Sequence, residues 1–532
     1  MGIFISVPKT IECILTAVIF SALLCGCCYR LLGILQSCGY SGKRLAEWAA
    51  KKGNLTFGRH VLLMLLCALS SAVISLCFSF AGTYAAVCGL SGFAIFLPLF
   101  IWADNKVALR TPLTFTPRLK RLCAVLALLT AVIVYFCITL LNFADFVWGN
   151  SVFSIMRYVP LAVFPLLMLP LVLLANVLAK VYEVPHNKSF VKKAKAKLKN
   201  SDIKIIGVTG SYGKTSVKQI LSEILKVKFR VLSTPRSHNT PMGLALSINS
   251  NGLENYDIFI AEMGARRSGD IAELCEMCPP DVSVITGICP QHLESFGTVE
   301  NIVKAKGEIL ASCKTAVIAD DCFSLFEAYP CPKSNAACVS DIKTDCGGSA
   351  FKLNLGGKSV QTHTKLLGAH AVQNIALAAA VAHSLGMSAE EIAAAVESLD
   401  YIEHRLQLIK SNGVNILDDG YNSNVKGAAA AIDVLKSFGG RKIAVTPGLV
   451  ELGILEEKEN YELGAKLVGL DYVVLVGETL IAPVKQGYLD NGGDKEKLSV
   501  VLGLPAAQDC LKSILQQGDT VLFLNDLPDI YT

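Results

Sequence analysis

GVTGSYGKTS, Gly207 to Ser216, is a stretch suited to holding phosphate. Its glycines let the backbone curl so that N–H groups point inward, and the helix that follows adds the positive end of its dipole. Gly210, Ser211, Gly213, Lys214, Thr215 and Ser216 form the expected cradle. Lys214 would reach the β- and γ-phosphates of a nucleotide, and the Thr215 hydroxyl would bind Mg²⁺. The spacing is a variant of Gly-x-x-x-x-Gly-Lys-[Ser/Thr], because Val208 stands five residues before Gly213. Glu262 closes the apolar run YDIFIAEM, and beside a phosphate loop a strand-end carboxylate suits Mg²⁺ better than bulk solvent. His292, in ICPQHLESFG, points to the same rim. Lys306, in AKGEIL, reads by spacing alone as a solvent-facing helix lysine.

These groups need a scaffold that brings strand ends together. From Ser201 onward, short apolar runs alternate with helical periodicity. IKIIGVTG, YDIFIAEM and DVSVITGI read as buried parallel strands. VKQILSEILKVK and AHAVQNIALAAAVAHSLG read as helices. The alternation predicts a doubly wound α/β domain with its active loops at the strand C-termini. VNILDD, Ala428–Ser437, RKIAVTP, DYVVLVG and DTVLFL predict a second, smaller α/β domain.

The chain before residue 182 is of another kind. It holds much of the apolar excess behind the 52% hydrophobic composition and mean hydropathy of +0.48. Five apolar stretches, Ile11–Tyr29, Val61–Ala81, Tyr84–Trp102, Leu122–Phe143 and Tyr158–Ala179, each approach the ~20 residues that span a bilayer. Lys and Arg cluster after the first, third and fifth stretches and are nearly absent after the second and fourth. This bias predicts a multi-pass protein of the plasma membrane, with its N-terminus outside and everything after residue 182 in the cytoplasm. The expected layout is a membrane domain over 1–182 with about five spans and a basic linker over 183–200. An ATP-binding α/β domain over 201–407 and a C-terminal α/β domain over 408–532 follow. The lysines of the linker either lie along anionic lipid headgroups or are simply solvated. They account for much of the net charge of +5, and with only Phe190 between them, short of the interleaved aromatics a single-strand binder needs, they argue against a nucleic-acid reading. Ten of the nineteen cysteines precede residue 140, where Cys behaves as a small hydrophobe. The rest fall in a region expected to be reduced, and Cys275-x-x-Cys278 alone is a weak zinc signal.

TGSYGKTS, EMGARRSGDIAEL, ITGICPQHLESFG, AKGEIL, GAHAVQNIALAAA, HRLQL and LDDGYNSN follow one another in an order that resembles the Mur ligase family. Within it, the likeness is greatest to the branch that joins D-Ala-D-Ala to the muramoyl peptide. The resemblance covers about residues 201 to 470. It implies a P-loop central domain, a Rossmann-like C-terminal domain, and an ATP-dependent, ADP-forming amide ligase acting through an acyl phosphate. It implies catalytic roles for Lys214, His292, Lys306 and Arg405. Thr215 and Glu262 would hold one Mg²⁺, and His292 with Lys306, carried as a carbamate, would hold a second. Asn374 would contact adenine, Arg405 the γ-phosphate and Asp419 the ribose, while Asn239 would lie near the acceptor carboxylate. The implied partners are ATP, a carboxylate-bearing acceptor (a muramoyl peptide or a lipid-linked precursor), and an amino acid or dipeptide.

The departures bear on the substrates. The family's usual N-terminal domain for the UDP of a nucleotide-sugar is replaced here by the apolar stretches. A hinge glycine is His404, and a Gly-Asp-Met loop has become Pro447-Gly448-Leu449-Val450. A membrane-anchored ligase of peptidoglycan or a related envelope polymer is the leading expectation. A poly-γ-glutamate-type ligase and an ATP-driven transporter are the alternatives.

Overall fold

The computed structural model describes residues 7–50, 57–77, 113–148, 159–235, 238–421, 424–477 and 480–525. The chain divides into two compact units at His186/Asn187.

The first unit is helical: α1 Val7–Cys27, α2 Tyr29–Ser37, α3 Gly42–Ala50, α4 Phe57–Cys77, α5 Pro117–Trp148 and α6 Val159–Lys199. Apart from Cys28 and Tyr29, which lie past the end of α1, the stretches expected to span at 11–29, 61–81, 122–143 and 158–179 fall on α1, α4, α5 and α6 wherever they are described. The stretch at 84–102 lies outside the described residues, as do Lys51, Lys52, Lys106 and Arg110 of the charge pattern. Two described segments, Pro117–Leu140 and Leu167–Lys199, are long and apolar enough to cross a membrane, and α1 with α2, taken as one broken span, would be a third. Two polar contacts among these apolar helices are made inside the unit. Ser21 Oγ donates to the Ala127 carbonyl at 2.6 Å, and Arg121 pairs with the buried Glu183 at 2.6 Å.

The 183–200 segment is helical through Lys199. Beyond the unit boundary, its Phe190, Val191, Ala194 and Leu198 pack on the core that follows. Lys195 meets Glu276 at 2.8 Å, and Lys197 donates to the Ile248 carbonyl at 3.1 Å.

In the second unit, β1 Lys204–Thr209, β2 Val231–Ser233, β3 Ile258–Glu262, β4 Val282–Ile285, β5 Thr315–Ile318 and β6 Lys333–Asn335 form one sheet. Its order is β2-β3-β1-β4-β5-β6, and every pairing is parallel. The continuous apolar runs of β1, β3 and β4 are buried, as the central strands of a sheet covered on both faces must be. After β1 the chain moves to one side of the sheet for β2 and β3, then crosses to the other for β4. That reversal opens a crevice at the strand C-termini. An antiparallel sheet of β7 Val339–Asp345, β8 Gly348–Leu355 and β9 Lys358–Thr364 follows. Its β8 places Phe351, Leu353 and Leu355 in the same core. The helices of this domain are α7 Lys214–Lys226, α8 Pro241–Asn249, α9 Asp270–Met277, α10 Leu293–Phe296, α11 Val299–Gly307, α12 Ala369–Ser384 and α13 Ala389–Glu397.

The last domain carries the sheet β10-β11-β15-β12-β13-β14. Its strands are β10 Gln407–Ser411, β11 Val414–Asp419, β12 Lys442–Thr446, β13 Tyr472–Val476, β14 Leu498–Val501 and β15 Thr520–Leu524. Only the hairpin pairing β10–β11 is antiparallel. Helix α14, Val425–Ser437, buries Ala428, Ala431, Ile432 and Leu435, the i, i+3, i+4, i+7 face of an amphipathic helix.

Candidate active site

The loop between β1 and α7 lies in the crevice. Gly210 has φ 150°, and a Cβ there would collide with Thr286 Oγ1. Gly213 has φ 76°, and its Cβ would stand 2.8 Å from Asn374 Oδ1. Only glycine meets both demands, which fixes the loop's course. Thr286, just past β4, donates to the Tyr212 carbonyl, and the Ser211 N–H donates to the Gly287 carbonyl at 2.8 Å. Lys214 folds back on the loop, donating to the Gly210 carbonyl at 2.7 Å. Burial lowers its amine below the ordinary lysine range, with the Glu262 carboxylate opposing and the Arg405 cation adding to the shift.

Glu262 ends β3, the neighbour of β1, and is 3% exposed. Its Oε2 accepts from Thr215 Oγ1 at 3.1 Å and stands 3.0 Å from Lys218 Nζ. Asn239 Nδ2 reaches Oε1 at 3.4 Å. Burial alone would raise this carboxyl, but Lys218 and Lys214, with the hydrogen bonds from Lys218 and Thr215, carry it below the ordinary carboxylate range. Sequence reasoning missed Lys218, yet a signal was present. It shares a helical stripe with Leu221 and Leu225, three and seven residues on, and is buried with them.

The second corner holds His292 and Lys306. His292, at φ 54°, precedes α10, and its Nδ1 contacts a Glu451 carboxylate oxygen from the last domain. Burial lowers the imidazole's proton affinity against the pull of Glu451. Arg266 reaches the other Glu451 oxygen at 3.4 Å. Lys306 is 3% exposed, which corrects the solvent-facing reading. It follows Val299 and Ile302 on one face of α11, a register the sequence did carry. No hydrogen bond or ion pair holds its amine among the described residues. Burial, with Lys214 adding to it, drives that amine well below its usual range, against the weaker pull of Asp270 and Glu308. The Glu451 contact was not foreseen, since it joins residues 159 positions apart in different domains.

Between the two domains lies a cavity of about 450 Å³ lined by Gly213, Ser216, Asn374, Arg405 and Asp419, among others. Arg405 stacks over the Tyr421 ring at 4.6 Å and donates to the Tyr421 carbonyl at 2.9 Å. Asp419 Oδ1 accepts from the Leu406 N–H at 3.2 Å. His404, left-handed at φ 59°, is held to Asp418 at 2.7 Å. Across the mouth, Lys426 of α14 pairs with Asp321 at 2.7 Å, and Asp321 also accepts from the Tyr212 hydroxyl. Cys275 and Cys278 are buried away from this cluster, and burial pushes the Cys275 thiol up to about 12.

Thr215 and Glu262 together offer a hydroxyl and a carboxylate, hard oxygen donors that fit Mg²⁺. Among the described residues no three His, Cys, Asp or Glu side chains stand as a ready metal cage. The fit therefore depends on these two donors and on oxygens that a nucleotide would bring. At the other corner, His292 and a carbamate on Lys306, were one formed, would supply nitrogen and oxygen donors for a second ion.

A phosphate loop at the switch point of a parallel sheet, facing a cavity shared with a second α/β domain, defines a nucleotide-dependent enzyme of two hinged domains. Comparison with known proteins narrows that class. Residues 208–382 match the Mur ligase middle domain, and 404–525 match the Mur ligase, glutamate ligase domain. The UDP-N-acetylmuramoyl-tripeptide–D-alanyl-D-alanine ligase of Bacillus subtilis is 31% identical, covering 62% of this chain and 74% of its own. The Escherichia coli ligase of the same name is 29% identical, with 59% and 74% covered. The MurF ligase of Thermotoga maritima, solved in complex with ADP, superposes with a TM-score of 0.58 at 30% identity, covering 65% and 81%. MurF from Acinetobacter baumannii gives 0.58 at 26%, covering 64% and 77%. The chain belongs to the Mur ligase family and is an ATP-dependent ligase.

Proposed function

We propose that this ligase joins a carboxylate on a membrane-held muramoyl-type precursor to the amine of an amino acid or dipeptide, in peptidoglycan or related envelope synthesis. The observation that carries this reading is the pairing of a MurF-like catalytic unit with a preceding helical region whose helices are long enough to cross a membrane. An acceptor presented by lipid needs no nucleotide handle. In this reading the N-terminus lies outside and both α/β domains lie in the cytoplasm, served by the membrane domain over 1–182.

The acceptor carboxylate attacks the γ-phosphorus, ADP leaves, and the amine displaces inorganic phosphate from the acyl phosphate. The loop N–H groups of Gly210 to Ser216 orient the phosphates, and Lys214 offsets charge between β and γ. Arg405 comes from the hinge to the γ-phosphate. Asn374 holds adenine, Asp419 the ribose, and Asn239 the acceptor carboxylate. Thr215 and Glu262 would hold one Mg²⁺, and His292 with carbamylated Lys306 the other. When bound, such ions would supply neutralisation of the phosphate charge. Burial favours the carbamate, because only an uncharged amine adds to CO₂ and the lowered proton affinity of Lys306 supplies one.

The test offers the purified full chain ATP and Mg²⁺ with nucleotide-linked or lipid-linked muramoyl peptides and candidate amines, scoring phosphate release and amide product. Turnover with the lipid-linked acceptor is expected. Turnover confined to nucleotide-linked tripeptide plus D-Ala-D-Ala would refute the lipid-held acceptor.

A further inference from the structure

One buried cation has no task in the reaction outlined above. Lys218 is 2% exposed and sits one helical turn beyond Lys214, on the core-facing stripe of α7 with Val217, Leu221 and Leu225. Among the described residues one carboxylate pairs with its ammonium. That carboxylate is Glu262, whose Oε2 lies 3.0 Å away and also accepts from Thr215 at 3.1 Å. One oxygen therefore meets both the buried cation and the hydroxyl that would share an ion with it.

We propose that Lys218 is a positioning residue that neutralises and fixes Glu262, so that this corner accepts a divalent cation together with nucleotide phosphates and not alone. The inference rests on the reading of Thr215 and Glu262 as cation donors. The charge count is direct. Thr215 is neutral, Glu262 contributes one negative charge and Lys218 one positive, while Lys214 stands close enough to act on the same carboxylate. An isolated dication meets no net negative charge here. Phosphate oxygens from a nucleotide reverse that balance and also engage Lys214, drawing it from the Gly210 carbonyl. Lys218 cannot take part in that exchange, because its amine is enclosed by the helix and sheet. It keeps one carboxylate oxygen fixed and leaves Oε1, whose hydrogen-bond partner among the described residues is Asn239 at 3.4 Å, as the better placed donor. The result is an ordered site in which the cation arrives with its nucleotide.

The experiment titrates the full-length protein in detergent with Mn²⁺, reading free ion by electron paramagnetic resonance, with and without ADP. The wild-type chain should bind Mn²⁺ weakly alone and more tightly with ADP. Lys218→Met should raise affinity for Mn²⁺ without ADP by roughly 10-fold or more, since a unit charge within a few ångströms is removed from a poorly screened site. Lys218→Arg should restore the weak binding. A folded Lys218→Met with unchanged ADP-free affinity overturns the proposal. If that variant does not fold, the wild-type chain still decides, because tight Mn²⁺ binding without ADP contradicts it. Glu262→Gln separates the two levels. If it leaves ADP-dependent Mn²⁺ binding intact, Glu262 is not a cation donor and both readings fail. If it abolishes that binding while Lys218→Met changes nothing, only the role of Lys218 fails.

Discussion

Lys218 and Lys306 are both lysines on the core-facing side of short helices, and each is almost fully buried. The fold treats them in opposite ways. Lys218 has a carboxylate at 3.0 Å and forms half of an ion pair with it. Among the described residues Lys306 has no such partner, and burial lowers its amine well below the usual lysine range against a weaker pull from Asp270 and Glu308. Enclosing a charge without a counter-ion costs several kcal/mol, and a lysine can avoid that cost by becoming neutral. The comparison separates two uses of one residue type in one cleft. One lysine is held in an ion pair, and the other is the amine proposed above to carry the carbamate.

Substitution tests that contrast most sharply. Lys306→Ala should lower amide formation by roughly 10²–10³-fold, the scale of losing one well-placed electrostatic group. Lys306→Arg should do no better, because a guanidinium forms no carbamate, whereas Lys218→Arg should retain most activity. Equal activity of the two arginine variants would erase the distinction. Stripping CO₂ and bicarbonate from the assay should mimic Lys306→Ala in the wild-type enzyme and leave the Ala variant unaffected.

A smaller effect is expected where one corner is braced from the other domain. Glu451→Gln weakens the contact that orients the His292 ring. It should reduce turnover about 10- to 100-fold, the usual range for a group that supports a ligand, with nucleotide affinity little changed. A fall in ADP binding instead would place Glu451 in the nucleotide site.

The smallest effect lies outside the cleft. Asp519 is buried in the last domain and paired with Arg441 at 2.7 Å. Burial would raise its carboxyl, but Arg441 and the Gln516 N–H hold it below the usual range. Its contribution to stability is therefore present above the unfolded-state value of about 3.9 and is lost as pH falls through the lower folded value. Asp519→Asn should destabilise this domain by about 1.5–3 kcal/mol at pH 7. The gap to wild type should close below about pH 4, as read by thermal melts at several pH values. Catalytic constants at permissive temperature should not change.

Much of the cleft was legible in the sequence because it is local. The loop glycines, Lys214 and Thr215 are consecutive, and Glu262 is marked by the strand it ends. The alternation of apolar runs also foretold two α/β domains and seven of the twelve strands in their two six-stranded sheets, while β2, β5, β6, β10 and β14 were not read. What stayed hidden depends on contacts between distant residues. Nothing near Glu451 in the chain foretells His292, because domain packing brings them together. The Tyr212–Asp321–Lys426 cluster likewise joins three separate segments. The antiparallel sheet β7–β9 went unread because its strands are largely exposed and polar on one side. Lys218 and Lys306 are a middle case. Their helical register with apolar neighbours was present, but Lys218 was passed over and Lys306 read as a solvent-facing charge rather than as a member of a buried stripe.

The central claim is that ATP is spent to make an acyl phosphate on the acceptor carboxylate. A lipid-linked acceptor carrying ¹⁸O in that carboxylate, incubated with unlabelled ATP and the amine, tests it directly. Because that oxygen bridges carbon and phosphorus in the intermediate and leaves with phosphorus, each amide formed should release one phosphate bearing one ¹⁸O. Amide formation with unlabelled phosphate would contradict the account.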